Sequence, residues 1–292
     1  MKPTAVHPNI GAHMSIAGGL HLALDRGAEV GCRSIAMFCK SSNQWRATAL
    51  PDDEIEMFRT KRRAMNVPHV VAHASYLVNL ASPVPALLEK SRAAFRVEME
   101  RCEAIGADYL VFHPGAHMGA GEEAGLATLA ASLDRVHREC AGFKLKVLPE
   151  ITAGAGTLLG SRFEHFAGIL SRVREPERLG FCLDTCHLFA AGYDIRTASG
   201  WRAMTEELEA KIGAERVLAW HVNDSKGDLG SKRDRHENLG RGKIGREAFR
   251  CLMNDRRFAA APKLLETPKE DGMDPKNLAL LRRLAKTVTL RK

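Results

Sequence analysis

The chain has 292 residues, 45% of them hydrophobic and 27% charged, with a formal net charge of +8. That supplies a large apolar core and excludes a disordered chain, while the longest apolar runs fall far short of a bilayer span, so no membrane association is expected. The positive balance favours polyanionic partners.

In chain order, short apolar runs bounded by turn residues predict strands. They are IGAHMS (10–15), SIAMFC (34–39), HVVAHAS (69–75), YLVFHPG (109–115), KLKVLPE (144–150), LGFCLDTC (179–186), VLAWHVND (217–224) and PKLLETP (262–268). Helical patterns lie between them. Leu88, Phe95, Met99 and Cys102 share one face, as do Leu126, Leu129, Leu133, Val136 and Cys140. Further helices are expected over 200–212 and 274–285, the last with Pro275 in its first turn. Strands alternating with helices imply parallel pairing through right-handed crossovers. Units of about 36 residues predict a single α/β domain over 1–292, a (β/α)8 TIM barrel. A dinucleotide-type open sheet is disfavoured, because AHMSIAGGLHLA after the first strand lacks the GxGxxG spacing.

The strand ends carry the chemistry. Toward its end the third run carries His73, the fourth His113, the fifth Glu150, the seventh His221 and the eighth Glu266. The sixth brings Asp184, with His187 just beyond. These residues recur at roughly one βα unit, and a parallel barrel gathers its carboxyl-terminal strand ends at one mouth. In the loop 225–245, SKGDLGSKRDRHENLGRGKIG, an extended D-x-H places Asp234 and His236 on one face. Five histidines and four carboxylates exceed the roughly four ligands of one zinc and fit two or three ions if a carboxylate bridges. His13 and His117 are expected to support ligands rather than bind metal. The seven cysteines contain no CxxC pair, so free thiols in a reducing compartment are expected, and Cys182 and Cys186 are read as packing. MKPTAVHPNIGAH lacks the apolar centre of a secretory signal, which makes a cytoplasmic protein the expectation.

GAHMSIAGG, HASYLVNLA, FHPGAH, EITAGAG, LDTCHLFAAGYD, HVNDSKGDLGSKRDRHENLG and LLETP together resemble the endonuclease IV family of zinc-dependent apurinic/apyrimidinic endonucleases. The resemblance runs from Ile10 to the end of the chain. It implies a TIM barrel with three Zn²⁺ ions. It also implies a phosphodiesterase that cuts duplex DNA on the 5′ side of an abasic site by zinc-activated hydroxide, leaving a 3′-hydroxyl and a 5′-terminal sugar phosphate. Carried over residue by residue, His73 and His113 resemble the pair on the first zinc, and Glu150 the carboxylate that bridges to the second and positions the hydroxide. Asp184, His221 and Glu266 resemble the remaining ligands of the second, and His187, Asp234 and His236 those of the third. The chain departs from the family's usual pattern at Ile151, Ala155, Asn43 and Arg241.

Abasic duplex DNA is then the expected partner. Lys226, Lys232, Arg233 and Arg235 are expected along phosphates. Tyr76 and Leu77 are expected to wedge into a base step, and Lys40, with Trp45 and Arg46, to contact a strand. No protein partner is expected, and the chain reads as a monomer. Two other readings compete: a divalent-metal sugar isomerase or epimerase on a related barrel, which leaves His187, Asp234 and His236 without a role, and a non-catalytic zinc-stabilised DNA-binding protein.

Overall fold

A computed structural model describes residues 8–285. The apolar runs fold as β1 (Ile10–Met14), β2 (Ser34–Phe38), β3 (Val70–His73), β4 (Tyr109–Phe112), β5 (Lys146–Pro149), β6 (Phe181–Asp184), β7 (Val217–His221) and, after the two short strands β8 (Asp224–Ser225) and β9 (His236–Glu237), β10 (Lys263–Leu265). The eight runs form one sheet in the order β5-β4-β3-β2-β1-β10-β7-β6, with every pair parallel. Bridges between Val147 and Leu179 and between Glu150 and Cys182 join the two edges and bring the barrel close to closure.

Alternation along each strand separates two apolar layers. Ala36, Val71, Val111, Leu148, Cys182, Ala219 and Leu264 fill the barrel interior. Their neighbours Ile35, Val70, Ala72, Leu110, Val147, Leu183 and Leu265 point outward into the helical layer. Both faces are covered, which is why the strands read as continuous apolar runs. At Gly11 a Cβ would sit 1.7 Å from the Ser34 carbonyl oxygen, so the close approach of β1 to β2 requires glycine.

Nine α-helices are described: α1 (Leu22–Glu29), α2 (Asp52–Ala64), α3 (Pro85–Ile105), α4 (Glu122–Glu139), α5 (Phe163–Leu170), α6 (Thr185–Ala191), α7 (Ala198–Lys211), α8 (Arg246–Asn254) and α9 (Met273–Leu284). The predicted faces turn inward: Phe95, Met99 and Cys102 of α3 and Leu126, Leu129, Leu133 and Val136 of α4 are buried, with Cys140 just past α4. Among the described residues no helix is long and apolar enough to cross a membrane.

Two features differ from the sequence expectation. The predicted strand 179–186 stops at Asp184, because its Oδ1 accepts from the amides of Cys186 (2.6 Å) and His187 (3.0 Å) and caps α6. Cys186 is therefore helical and does not share a strand face with Asp184. The antiparallel ladder of β8 and β9, which was not predicted, closes the basic loop.

Candidate metal centre

Strand register brings the polar strand ends to one level. His73 pairs with Phe38, Pro149 with Phe112, and His221 with Asp184. His73, Asp184 and His221 are the last residues of their strands; His113, Glu150 and Glu266 follow theirs by one position. His187 lies in the first turn of α6, directly behind the carboxylate that caps it.

Glu150 stands at the middle. Its Oε2 lies 3.1 Å from His73 Nε2 and 3.3 Å from His113 Nε2. Its Oε1 lies 2.6 Å from His221 Nδ1 and 3.6 Å from His187 Nδ1. Glu266 Oε2 approaches His221 Nδ1 at 3.2 Å. On the other side, Asp234 places one oxygen 3.1 Å from His187 Nε2 and the other 3.1 Å from His236 Nε2. His236 Nε2 is also 3.6 Å from Asp184 Oδ2.

All nine residues predicted as ligands therefore gather into three sets of imidazole and carboxylate donors within 4.8 Å of one another: His73, His113 and Glu150; Glu150, Asp184, His221 and Glu266; His187, Asp234 and His236; two overlapping sets bring in thiols, Cys182 with Glu150 and His221, and Cys186 with Asp184 and His236. The sets touch at Glu150 and across the Asp184–His236 contact. His73, Glu150, Asp184, His187 and His221 are buried, whereas Asp234 is exposed on its loop.

The donor set fits metal ions. The Nδ1 atoms of His73, His187 and His236 face the carbonyls of Ala74 (2.7 Å), Ile151 (2.8 Å) and Glu266 (3.2 Å). That fixes Nδ1 as the protonated nitrogen and aims Nε2 inward, the arrangement of a metal-binding imidazole. His187 Nε2 and His236 Nε2 are buried without a well-aligned hydrogen bond, an expensive state unless an ion completes it.

The same carboxylates set the charge state of the metal-free site. Burial alone would raise Glu150, but His221, His113 and His73 outweigh it and hold the carboxyl well below the ordinary range. Burial would lower His187, but Asp184, Asp234 and Glu150 raise it well above its usual value. His236 is likewise lowered by burial and raised by Asp184 and Asp234, ending at about 9. Without metal, the imidazoles themselves act as counter-ions to the carboxylates.

Around the centre, Asn223 is fully buried and clamps two strand ends. Its amide donates to Asp184 Oδ2 at 2.7 Å, and its oxygen accepts from the Glu266 amide at 2.8 Å. Thr185 Oγ1 holds Asn223 in turn, accepting from its amide (2.9 Å) and donating to its carbonyl (2.6 Å). Sequence reasoning did not single out either residue, although Asn223 lies within HVND. His13 lies against the centre, with Nδ1 3.2 Å from Glu266 Oε1. His117 lies outside the three sets and accepts from the Gly121 amide at 3.1 Å in the loop before α4. At Ile151, one of the departures from the family pattern, the side chain is core and the carbonyl orients His187.

Tyr76 is 58% exposed at the rim, its ring centred 5.5 Å from that of His73 and 6.0 Å from that of His113. Leu77 beside it is half-buried. Lys226, Lys232, Arg233 and Arg235 are exposed on the loop that carries Asp234. Lys40 corrects the expectation of a strand contact. It is only 5% exposed, and its ammonium turns inward to Glu98 of α3 at 3.3 Å.

Residues 24–286 match the family model described as a xylose isomerase-like TIM barrel. The chain is 50% identical over 279 residues to a probable endonuclease 4 of Chloroflexus aurantiacus, covering 95% of this chain and 98% of that protein. The crystal structure of endonuclease IV from Thermus thermophilus superposes with a TM-score of 0.85 at 35% identity, covering 95% of this chain and 98% of that one. A D-tagatose 3-epimerase-like protein shares the fold, with a TM-score of 0.72 at 18% identity over 94% of this chain and 96% of that one.

Proposed function

The chain belongs to the endonuclease IV family of xylose isomerase-like TIM barrels, and on that premise we propose that it is a DNA-repair endonuclease that hydrolyses the phosphodiester 5′ to an abasic site in duplex DNA. The products are a 3′-hydroxyl and a 5′-terminal sugar phosphate. The observation that carries this reading is the chain of three ligand sets, two of them sharing Glu150, beside a basic loop. A sugar epimerase working with one or two ions would leave His187, Asp234 and His236 without a task.

Nitrogen and carboxylate donors in sets of three or four suit zinc. His73, His113 and Glu150 would hold a first ion; Glu150, Asp184, His221 and Glu266 a second; and His187, Asp234 and His236 a third. Zinc, when bound, supplies an acidified water near neutral pH and offsets the phosphate charge. The chain's own residues do the rest. Glu150 lies between the first two sets, where its carboxylate positions the attacking oxygen. Asn223 keeps Asp184 and Glu266 at fixed separation. The cations of 226–235 lie along phosphates, giving sequence-independent binding. Tyr76 and Leu77 stand where a wedge can enter the stack, and a nucleotide without its base costs least to extrude.

The test is nicking of a supercoiled plasmid that has been partly depurinated, compared with intact plasmid, with and without a chelator. Nicking confined to the depurinated plasmid and abolished by the chelator is expected. Equal nicking of both plasmids would contradict abasic specificity. Full zinc loading with no nicking, together with turnover of a ketose, would replace this reading with the epimerase.

A further inference from the structure

Lys40 turns away from the mouth, and its partners define a second layer beneath the DNA-facing edge. Its ammonium pairs with fully buried Glu98 and donates to the carbonyls of Ser41 (3.2 Å) and Gln44 (2.5 Å). The other Glu98 oxygen accepts from the Ser75 amide at 2.9 Å, immediately before Tyr76. Ser75 Oγ donates to the Ser42 carbonyl at 2.5 Å and accepts from the Leu77 amide at 3.3 Å. One buried ion pair thus ties two loops to α3. The loop 40–50 presents exposed Asn43, Gln44 and Arg46, and the loop 74–84 presents Tyr76.

A buried Lys–Glu pair contributes little net stability, because desolvation offsets much of the attraction. Burial pushes the Glu98 carboxyl up, while Lys40 and the Ser75 amide pull against that shift. What apolar residues of the same volume would not supply is direction. The ammonium fixes the 41–44 turn through two carbonyls, and the carboxylate fixes Ser75 through one amide. Phe38, at the end of β2, packs edge-on against Tyr76 at 5.6 Å and so depends on the same spacing between the two loops.

We infer that Lys40 and Glu98 are positioning residues for substrate: together they lock the loops after β2 and β3 into one DNA-contacting edge beside the metal centre. They act on DNA affinity and leave the chemical step to the metal ligands. This rests on the DNA-nuclease reading above.

The test compares Lys40→Met, Glu98→Gln and the double variant with the parent protein. Lys40→Met strands a buried carboxylate and should melt lower; the double variant removes that charge and should recover most of the loss. In the double variant KM for an abasic duplex should rise about tenfold or more, while kcat stays within about threefold. Zinc content should match the parent. Amide hydrogen exchange over 41–46 and 75–80 should accelerate in the zinc-loaded double variant, whether or not the protein cuts DNA. A double variant with parental KM and parental exchange overturns the inference, as does a fall in kcat at unchanged KM. If the parent cuts no abasic duplex, the nuclease reading fails and the DNA-affinity claim with it, while the exchange data still decide the loop lock. If Lys40→Met does not fold, the double variant carries the comparison.

Discussion

Replacing Glu150 by Gln keeps the side chain's shape and removes the charge that two ligand sets share. Four imidazole nitrogens lie between 2.6 and 3.6 Å from its two oxygens. An amide offers one good acceptor oxygen where the carboxylate offers two. The set of His73 and His113 then keeps two ring nitrogens, fewer than the roughly three protein ligands of an open zinc site. The variant should bind one ion fewer than the parent. A metal-positioned nucleophile contributes several kcal/mol, and each ~1.4 kcal/mol is tenfold, so cutting should fall by about 10³ or more. The fold should persist, because the Glu150 backbone keeps its bond to the Phe112 carbonyl at 2.9 Å and Gln fills the same volume. Single-turnover cutting of an abasic duplex, run beside metal analysis and a melting curve, measures all three. Full metal content with cutting within about tenfold of the parent would refute the bridging role.

Asn223→Ala removes the amide that orients Asp184 and should weaken zinc binding about 10–100-fold in a competition with a chromophoric chelator; unchanged affinity would reduce Asn223 to a packing residue. The metal-free protein should lose stability as pH rises. His236, at about 9 in the fold, lies above an unfolded value near 6.5, so its contribution is complete below about pH 6.5 and disappears as pH climbs through 9. Chelated protein that melts at a constant temperature between those values would contradict this. Lys232→Ala and Arg233→Ala should each reduce the slope of log affinity against log salt by about 1, and a slope equal to the parent's would place those cations away from phosphate.

The barrel was legible because both of its signals are periodic. Apolar runs alternate with helical stripes such as Leu126, Leu129, Leu133 and Val136. The gathering of the nine residues was legible for a different reason: parallel strands share one carboxyl end, so His73, His113 and Glu150 meet although the sequence separates them. What escaped was local direction. Lys40 reads as a loop cation until its partner Glu98, far along the chain on α3, turns it inward. LGFCLDTC reads as a strand to Cys186, yet Asp184 both ends the strand and caps the helix, using Oδ1 for the cap while Oδ2 faces Asn223 and His236. Asn223 carries no charge, and its partners come from other strands, so its spacing gave no signal. Ile151 departs from the family pattern, yet the group that orients His187 is its carbonyl, which any residue supplies.

The central claim is hydrolysis 5′ to an abasic site by a zinc-loaded centre. It is tested most directly with a duplex carrying one tetrahydrofuran abasic analogue, which cannot undergo β-elimination, followed by analysis of the new ends. A single cut 5′ to the analogue, leaving a 3′-hydroxyl and a 5′-terminal phosphate, is the predicted result. An intact duplex after incubation with fully zinc-loaded protein would contradict it.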